Sequence, residues 1–421
     1  MNLHHILKTR FGFASFRKYQ EGICEAMVAG RDVFAVLPTS AGKSLCFQLP
    51  AIMRDGTTIV ITPLISLMQD QVQAAKARGI RAAFTNSTQK VAEVREVNRL
   101  AVSGGLDLLY VSPERFVSKT FKSTLDEIDI GMIVLDESHC ISQWGNSFRV
   151  KYLQAADMVK QFRVPVSAFT ASVTIEMQEE IIKRLGLVNP YRVRASFNRS
   201  NLRYDVVKKT APVVDQVRDF VRDHEGQAGI VYRTTRNNVE NMTIDLQAMG
   251  IKALPYHAGL KADVREENQN AFLANKCQVA VATIAFGMGI DKPNIRWVLH
   301  VDLPKNLEGY YQETGRAGRD GLDSHCTLLY SRADIVQLRR FNSFIDDPEY
   351  RKKSDEKLDQ MIRFAEADIC RRKQVLGYFD EQHPGDCGNC DVCAEGYVNN
   401  RFEAGRILRK LFPARARYPR N

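Results

Sequence analysis

The chain is short of several things. It has no run of eighteen apolar residues, so no segment is long and apolar enough to span a bilayer as a helix. Its opening residues, "MNLHHILKTRFGF", lack the apolar core of a secretory signal, and we therefore expect a soluble, intracellular protein with no membrane association, in cytoplasm, nucleoid or nucleus. No low-complexity segment occurs. Nine cysteines are present, and without an export signal they point away from a disulfide framework and toward reduced thiols or a metal site.

Negative charge is scarce at one end. After Val398 come Arg401, Arg406, Arg409, Lys410, Arg415, Arg417 and Arg420 against Glu403 alone, so +6 of the net charge of +10 lies in the last stretch. The body is nearly balanced. Such a tail suits a polyanion, although many basic ends are merely solvated.

A length of 421 residues with 44% hydrophobic content suggests two or three domains with real cores. Short β-rich runs alternate with helix-length segments from about residue 33 to 330. The first series is "DVFAVL", "TIVIT", "DLLYVS", "GMIVLDE" and "VSAFTA"; the second is "AGIVYR", "KALPYH", "QVAVAT", "RWVLHVD" and "CTLLYS". Alternation of this kind predicts parallel sheets with crossover helices, an α/β architecture of two similar lobes joined near residues 193–207. From about Phe341 the pattern turns to polar helix and then to clustered cysteines.

"VFAVLPTSAGKSLCF" places a strand, a loop of small residues, Lys43 and Ser44, then a helical run. Backbone N–H groups of such a loop cradle phosphates, Lys43 neutralises the outer ones and Ser44 ligates Mg²⁺. The strict phosphate-loop pattern fails only at Leu37, where its first glycine is expected. Downstream, Asp136 and Glu137 close an apolar strand. The first can hold the metal through water, and the second can orient or deprotonate the attacking water, a role worth about 10²–10⁴ in rate. In "YYQETGRAGRDG", Arg316 and Arg319 stand three apart and are expected on one helix face beside Gln312, placed to reach a γ-phosphate. Cys370, Cys387, Cys390 and Cys393 offer four thiolates with two-residue gaps, suited to tetrahedral zinc or to an iron–sulfur cluster. Cys24, Cys46, Cys140, Cys277 and Cys326 are expected as small core residues.

Taken in order, "FGFASFRKYQEGI", "LPTSAGKSLCFQLPA", "TPLISLMQDQV", "LLYVSPERF", "DESHCISQWG", "FTASVT", "YHAGL", "VATIAFGMGIDKPNIRWVLH" and "YYQETGRAGRDG" resemble the RecQ family of superfamily 2 DNA helicases from Phe11 to Cys393. The resemblance implies two tandem RecA-like domains, residues 1–202 and 203–345, then a helical zinc-binding subdomain, 346–398, and a basic tail, 399–421. It implies ATP-driven 3′→5′ translocation on single-stranded DNA, with unwinding of duplex or branched DNA in repair or recombination. A monomer is the expected state, with single-strand-binding or repair proteins as partners. Arg17 and Gln20 are implied to contact the adenine, Thr39, Ser40, Gly42, Lys43, Ser44 and Asp136 to hold the nucleotide and its metal, and His139 to join the catalytic set. "CRRKQVLGYF" with "CGNCDVC" favours zinc in a structural role.

In the family the loop around Ser142, Gln143, Trp144, Phe148 and Arg149 senses DNA, and stacking of a base on either aromatic would contribute about 1–3 kcal/mol without demanding a sequence. This chain departs from the pattern at Ser40, usually glycine, at Asn146-Ser147, usually His-Asp, and at Val150-Lys151, usually Pro-Glu. Only 28 residues follow Cys393, where the family usually continues with a winged-helix domain. "RFEAGRILRKLF" is expected as a short amphipathic basic helix. The rival readings are a DNA-stimulated ATPase that remodels or anneals DNA with little unwinding, and a non-catalytic DNA-binding protein.

Overall fold

Runs of aliphatic and β-branched residues, too short for helices, become strands covered on both faces. The structure, a computed structural model, describes residues 2–38, 41–63, 65–141, 147–284, 286 and 292–394, without the side chains of 65–67 and 147–149. It divides at Phe197/Asn198 into two compact units.

The first unit holds β1 (Val33–Val36), β2 (Thr57–Ile61), β3 (Ala82–Thr85), β4 (Leu108–Val111), β5 (Ile130–Asp136), β6 (Val166–Thr170) and β7 (Tyr191–Arg194). They form one sheet in the order β3-β4-β2-β5-β6-β1-β7, every pair parallel. The second unit holds β8 (Leu202–Lys208), β9 (Ala228–Tyr232), β10 (Ala253–Tyr256), β11 (Val279–Ala282), β12 (Ile295–His300) and β13 (Ser324–Tyr330), ordered β10-β11-β9-β12-β13-β8 and again wholly parallel. Helices between the strands cover the faces, which is why the central strands are apolar throughout rather than alternating. Several of the helices are announced by the residue just before them. Thr174, Thr235 and Asn306 each accept a bond from the first helical turn, and Asp347 does so before Pro348 at the first helical position.

The expected two series of five are corrected to seven and six by β3, β7 and β8. All three lie at sheet edges, where one side of the strand is open and the pattern is shorter or more polar. All of β8 but its last residue, and the end of β7, fall inside residues 193–207, the stretch expected only to join the lobes.

Behind the second sheet Trp297 is fully buried, edge-on to Phe220 at 5.4 Å. A Cβ at Gly229 on the adjacent strand would lie 1.9 Å from the indole, so only glycine admits this tryptophan. After β13 the helices Arg332–Ser343, Pro348–Glu366 and Arg371–Tyr378 pack back on the unit through Tyr310 against Phe364 at 5.2 Å and Tyr311 against Phe379 at 4.9 Å. Among the described residues no helix is long and apolar enough to cross a membrane.

Two neighbouring histidines, one buried and one half-buried, are expected to make this unit acid-sensitive. The His224 and His325 rings sit 5.3 Å apart, and His224 Nδ1 lies 2.8 Å from the Phe220 carbonyl oxygen. Burial, then the charges of His224 and Arg203, push His325 down to about 4, and burial lowers His224 as well. The unfolded chain therefore takes up protons that the folded chain refuses. Stability is complete above the unfolded value of 6.5, falls as pH drops from there toward about 4, and levels below it. His325 accounts for up to about 3 kcal/mol of this loss. Urea unfolding of parent and His325→Phe at about pH 7 and about pH 4.5 tests the linkage. The parent midpoint should fall more steeply with acid than that of the variant, and equal slopes would dismiss the assignment.

Candidate functional site

Parallel strands end on the same side, so the loops leaving β5, β6 and β1, three neighbours in the first sheet, emerge together. The register sets Val36 beside Thr170 and Asp136 beside Phe169. Sequence positions 36, 136 and 170 thus become one locality.

The helix Lys43–Met53 starts directly after Gly42, which has φ +74°. A Cβ at Gly42 would lie 2.7 Å from Gln20 Nε2, so both backbone and space call for glycine. Lys43 Nζ stands 3.3 Å from Glu137 Oε1, with the two side chains 10% and 18% exposed. The other Glu137 oxygen is 3.2 Å from His139 Nδ1, which lies 3.1 Å from Thr170 Oγ1 at the end of β6. Asp136 Oδ1 accepts the Glu137 N–H at 3.0 Å, and the Tyr152 hydroxyl donates to the Asp136 main-chain oxygen at 2.7 Å. Glu137 has φ +55°, a left-handed conformation costly for a side chain of its kind and frequent where function fixes the backbone. Ser44, half-buried, is the second residue of the helix.

These contacts separate the two acids. Burial raises both carboxyls. At Asp136 burial and then the Glu137 charge push the value up to about 6. At Glu137 the burial is outweighed by Lys43 and His139, which hold the carboxyl well below the usual carboxylate range. Burial would lower His139, but Cys140 and Glu137 overcome it and raise its value well above 6.5. The site therefore holds one firmly ionised carboxylate between two cations beside one that titrates nearer neutrality, an arrangement able to hold a divalent cation and to orient water.

The Gln20 carboxamide joins the phosphate loop to the segment before it. Its Oε1 accepts from the Arg17 N–H at 2.9 Å, and its Nε2 donates to the Ala41 and Gly42 carbonyls at 2.9 and 3.3 Å. Arg17, Gln20, Gly42, Lys43, Asp136, Glu137 and His139 thus form one connected set. Thr39, Ser40, Ser142, Gln143, Trp144 and Asn146 lie outside the described residues, as do the side chains of Phe148 and Arg149 and the whole tail from residue 395.

In the second unit Gln312 lies on the helix Leu307–Thr314, but Arg316 and Arg319 do not, which corrects the expected shared helix face. The helix closes at Gly315, and Gly318, at φ +58°, turns the chain. The two arginines, both half-buried, ride on this turn. Next to it Glu313 Oε2 meets the buried His300 Nε2 at 2.6 Å, with the Tyr232 ring stacked on His300 at 5.0 Å. Arg316 lies beside the Tyr232 hydroxyl, which donates to the Phe286 carbonyl at 2.9 Å.

The sulfurs of Cys370, Cys387, Cys390 and Cys393 lie within 4.8 Å of one another. That spread fits a tetrahedron of zinc–sulfur bonds about 2.3 Å long, with no position left open for catalysis. Backbone N–H groups of Cys387 and Asn389 point at the sulfurs of Cys370 and Cys387, both at 3.4 Å, which favours thiolates. Cys24, Cys46, Cys277 and Cys326 are buried as expected, while Cys140 is half-exposed beside His139.

Sequence reasoning missed what anchors this cluster. Arg371, 1% exposed, makes two 2.8 Å bonds to Asp391, which sits between two of the cysteines. Cys390 forms a bridge with Tyr204 that covers the open side of β8. Arg372 binds the carbonyls of Arg199 and Leu202, both at 2.6 Å, and Asn198 Oδ1 at 2.9 Å. The one available signal was a pair of arginines following a cysteine.

Three family models match in succession: DEAD/DEAH box helicase over residues 17–181, helicase conserved C-terminal domain over 212–321, and RecQ zinc-binding over 332–394. The chain is 43% identical over 393 residues to the ATP-dependent DNA helicase RecQ of Haemophilus influenzae, covering 93% of this chain and 63% of that protein. It is 42% identical over 395 residues to the ATP-dependent DNA helicase RecQ of Bacillus subtilis, covering 93% and 66%. The chain therefore spans a little under two thirds of the length of these relatives. Among solved structures, Saccharomyces cerevisiae Dbp5 bound to RNA and ADP BeF3 matches with a TM-score of 0.64 at 16% identity, over 84% of this chain and 97% of that one. At that identity the likeness concerns the fold alone, which is two tandem RecA-like units.

The cysteine cluster generates a direct test. Metal analysis should return one zinc per chain. Cys390→Ala, which deletes a buried ligand, should lose the metal and give poorly soluble protein, because metal binding and folding are coupled in small domains of this kind. Iron with visible absorbance would replace zinc by a cluster.

Proposed function

The chain belongs to the RecQ family of helicases, and we propose that it couples ATP hydrolysis to 3′→5′ movement along single-stranded DNA, separating duplex or branched DNA in repair or recombination. The reading rests chiefly on the connected series Gln20–Gly42, Lys43–Glu137, Glu137–His139 and His139–Thr170, built on the ends of three adjacent strands. In this reading residues 1–202 bind nucleotide, 203–345 supply Arg316 and Arg319, 346–398 carry zinc, and the tail 399–421 contacts DNA. The protein works as a soluble, intracellular monomer, with single-strand-binding or repair proteins as partners.

The steps follow from the charges. Incoming phosphates draw Lys43 away from Glu137, exchanging one anion for another. A magnesium ion, held by Ser44 and through water by Asp136, would neutralise the charge that develops on the phosphate oxygens. Asp136, with a value of about 6, is largely ionised at pH 7 and available for it. Glu137, freed from Lys43 but still held by His139, orients the attacking water. Arg17 and Gln20 read the base, and Arg316 and Arg319 stabilise the leaving charge. Stacking of unpaired bases on Trp144 or Phe148 makes turnover respond to single-stranded DNA.

Parallel hydrolysis and strand-displacement assays on the full chain decide the matter. Glu137→Gln should keep nucleotide binding while hydrolysis falls about 10²-fold or more. Lys43→Ala should lose binding as well. Displacement should require a 3′ single-stranded extension on the substrate. Normal turnover in the glutamine variant would refute the catalytic assignment. Hydrolysis stimulated by DNA without displacement would leave a translocating or remodelling ATPase.

A further inference from the structure

The turn carrying Arg316 and Arg319 is tied through its N–H groups, Ala317 to the Thr314 carbonyl at 3.0 Å and Gly318 to the Ile295 carbonyl at 2.8 Å, but its carbonyls need a separate hold. Arg199 provides it. Its Nη1 donates to the Gly315 carbonyl at 3.4 Å, and its Nη2 to the carbonyls of Ala317 and Gly318 at 3.0 and 2.7 Å. Asn201 adds a bond from Nδ2 to the Gly318 carbonyl and another to that of Leu322, both 2.9 Å. A Cβ at Gly318 would lie 2.4 Å from Asn201 Nδ2, so the turn closes tightly on this segment.

Residues 198–202 are in turn gripped by Arg372. Four bonds run from its guanidinium, to Asn198 Oδ1 and to the carbonyls of Arg199, Ser200 and Leu202. Arg372 is the second residue of the helix Arg371–Tyr378, which follows Cys370 directly, and its neighbour Arg371 is bonded to Asp391 inside the cysteine loop. A connected set of charge-assisted bonds, buried at Arg371 and part-buried at Arg199, therefore runs from the cysteine loop through the adjacent residues Arg371 and Arg372 and residues 198–202 to the arginine turn, all within the second unit.

We propose that Arg199 and Arg372 are positioning residues for ATP hydrolysis, which hold the turn bearing Arg316 and Arg319 at a place fixed by the cysteine cluster. The inference rests on the reading that those two arginines serve the phosphates. A guanidinium that stabilises transition-state charge must be held within roughly half an ångström, and a free turn does not do this. Arg199 spans three carbonyls because its guanidinium is a rigid fork. A lysine keeps the charge but presents it as a point, without that span.

The test is steady-state ATP hydrolysis by the full chain at saturating single-stranded DNA for the parent, Arg199→Lys, Arg372→Lys, the pair Arg316→Ala/Arg319→Ala, and Arg199→Lys on that pair. Loss of bonds from a charged donor predicts a fall in kcat of about tenfold to a hundredfold for each single lysine variant. KM for ATP should stay within about twofold, because the residues assigned to the base and the outer phosphates are untouched. Zinc content should remain at one per chain. On the doubly substituted arginine background Arg199→Lys should cost almost nothing more, since there is no guanidinium left to place. Parent-like kcat in a folded Arg199→Lys overturns the proposal, and so do losses that multiply on the double-alanine background. If Arg199→Lys does not fold, as judged by near-ultraviolet circular dichroism, Arg372→Lys decides on the same criteria. Should the double-alanine protein itself turn over like the parent, the assignment of Arg316 and Arg319 falls, an outcome separate from failure of the lysine variants.

Discussion

Everything at the nucleotide end of the first unit depends on one buried charge. Glu137 is largely shielded from water, and an unpaired carboxylate there would cost several kcal/mol. Lys43 on one side and His139 on the other make its ionised form tolerable. The same pairing holds the phosphate-loop lysine in a defined place, 94 residues along the chain from its partner. It also accounts for the left-handed backbone at Glu137, since relaxing that φ would withdraw the carboxylate from its two cations. In the proposed reading an incoming phosphate takes the place of Glu137 as the partner of Lys43. That exchange of anions gives binding its leverage over the site.

The fold was legible wherever a strand is covered on both sides. β1, β2, β4, β6, β9 and β11 are buried along their whole length, and their sequences are apolar apart from Thr57, Thr58, Ser167 and Thr170. β7 and β8 were opaque for the opposite reason. β8, "LRYDVVK", carries Arg203 and Asp205, whose ion pair lies within a single edge strand and makes the segment look like a polar linker. Local pattern cannot separate such an edge strand from a tether, because the distinction lies in its pairing with β13, more than a hundred residues later.

The site was legible to the extent that its chemistry is local. Glycine before lysine at a helix start, and paired acids at a strand end, announce themselves because each group's role is fixed within a few residues. Arg316 and Arg319 were recognisable by type, whereas their setting on a turn was not, since it depends on how Gly315 and Gly318 end the helix. Arg199 carried no signal, and Arg371 and Arg372 only that of two arginines following a cysteine. Most of their partners are distant in sequence, as far as 174 residues away, and an arginine among other polar residues reads as a solvated charge until the fold buries it.

A parallel sheet ends in an exposed row of backbone donors and acceptors, and the second unit must finish β8 somehow. It does so by setting Cys390 against Tyr204, with the Asp391 N–H donating to the Tyr204 carbonyl at 3.3 Å. A loop this short has little apolar surface to hold itself in place, and so the cover needs an internal fastening. Four convergent sulfurs provide it, while Arg371 and Asp391 fix the fastening to the helices behind. Arg199 and Asn201 lie directly before β8, so whatever sets the position of that strand also sets the arginine turn they hold. The cysteine cluster, the sheet edge and the turn are therefore parts of one mechanical element. Separating any of them would require an edge strand with some other cover and an arginine turn with some other support.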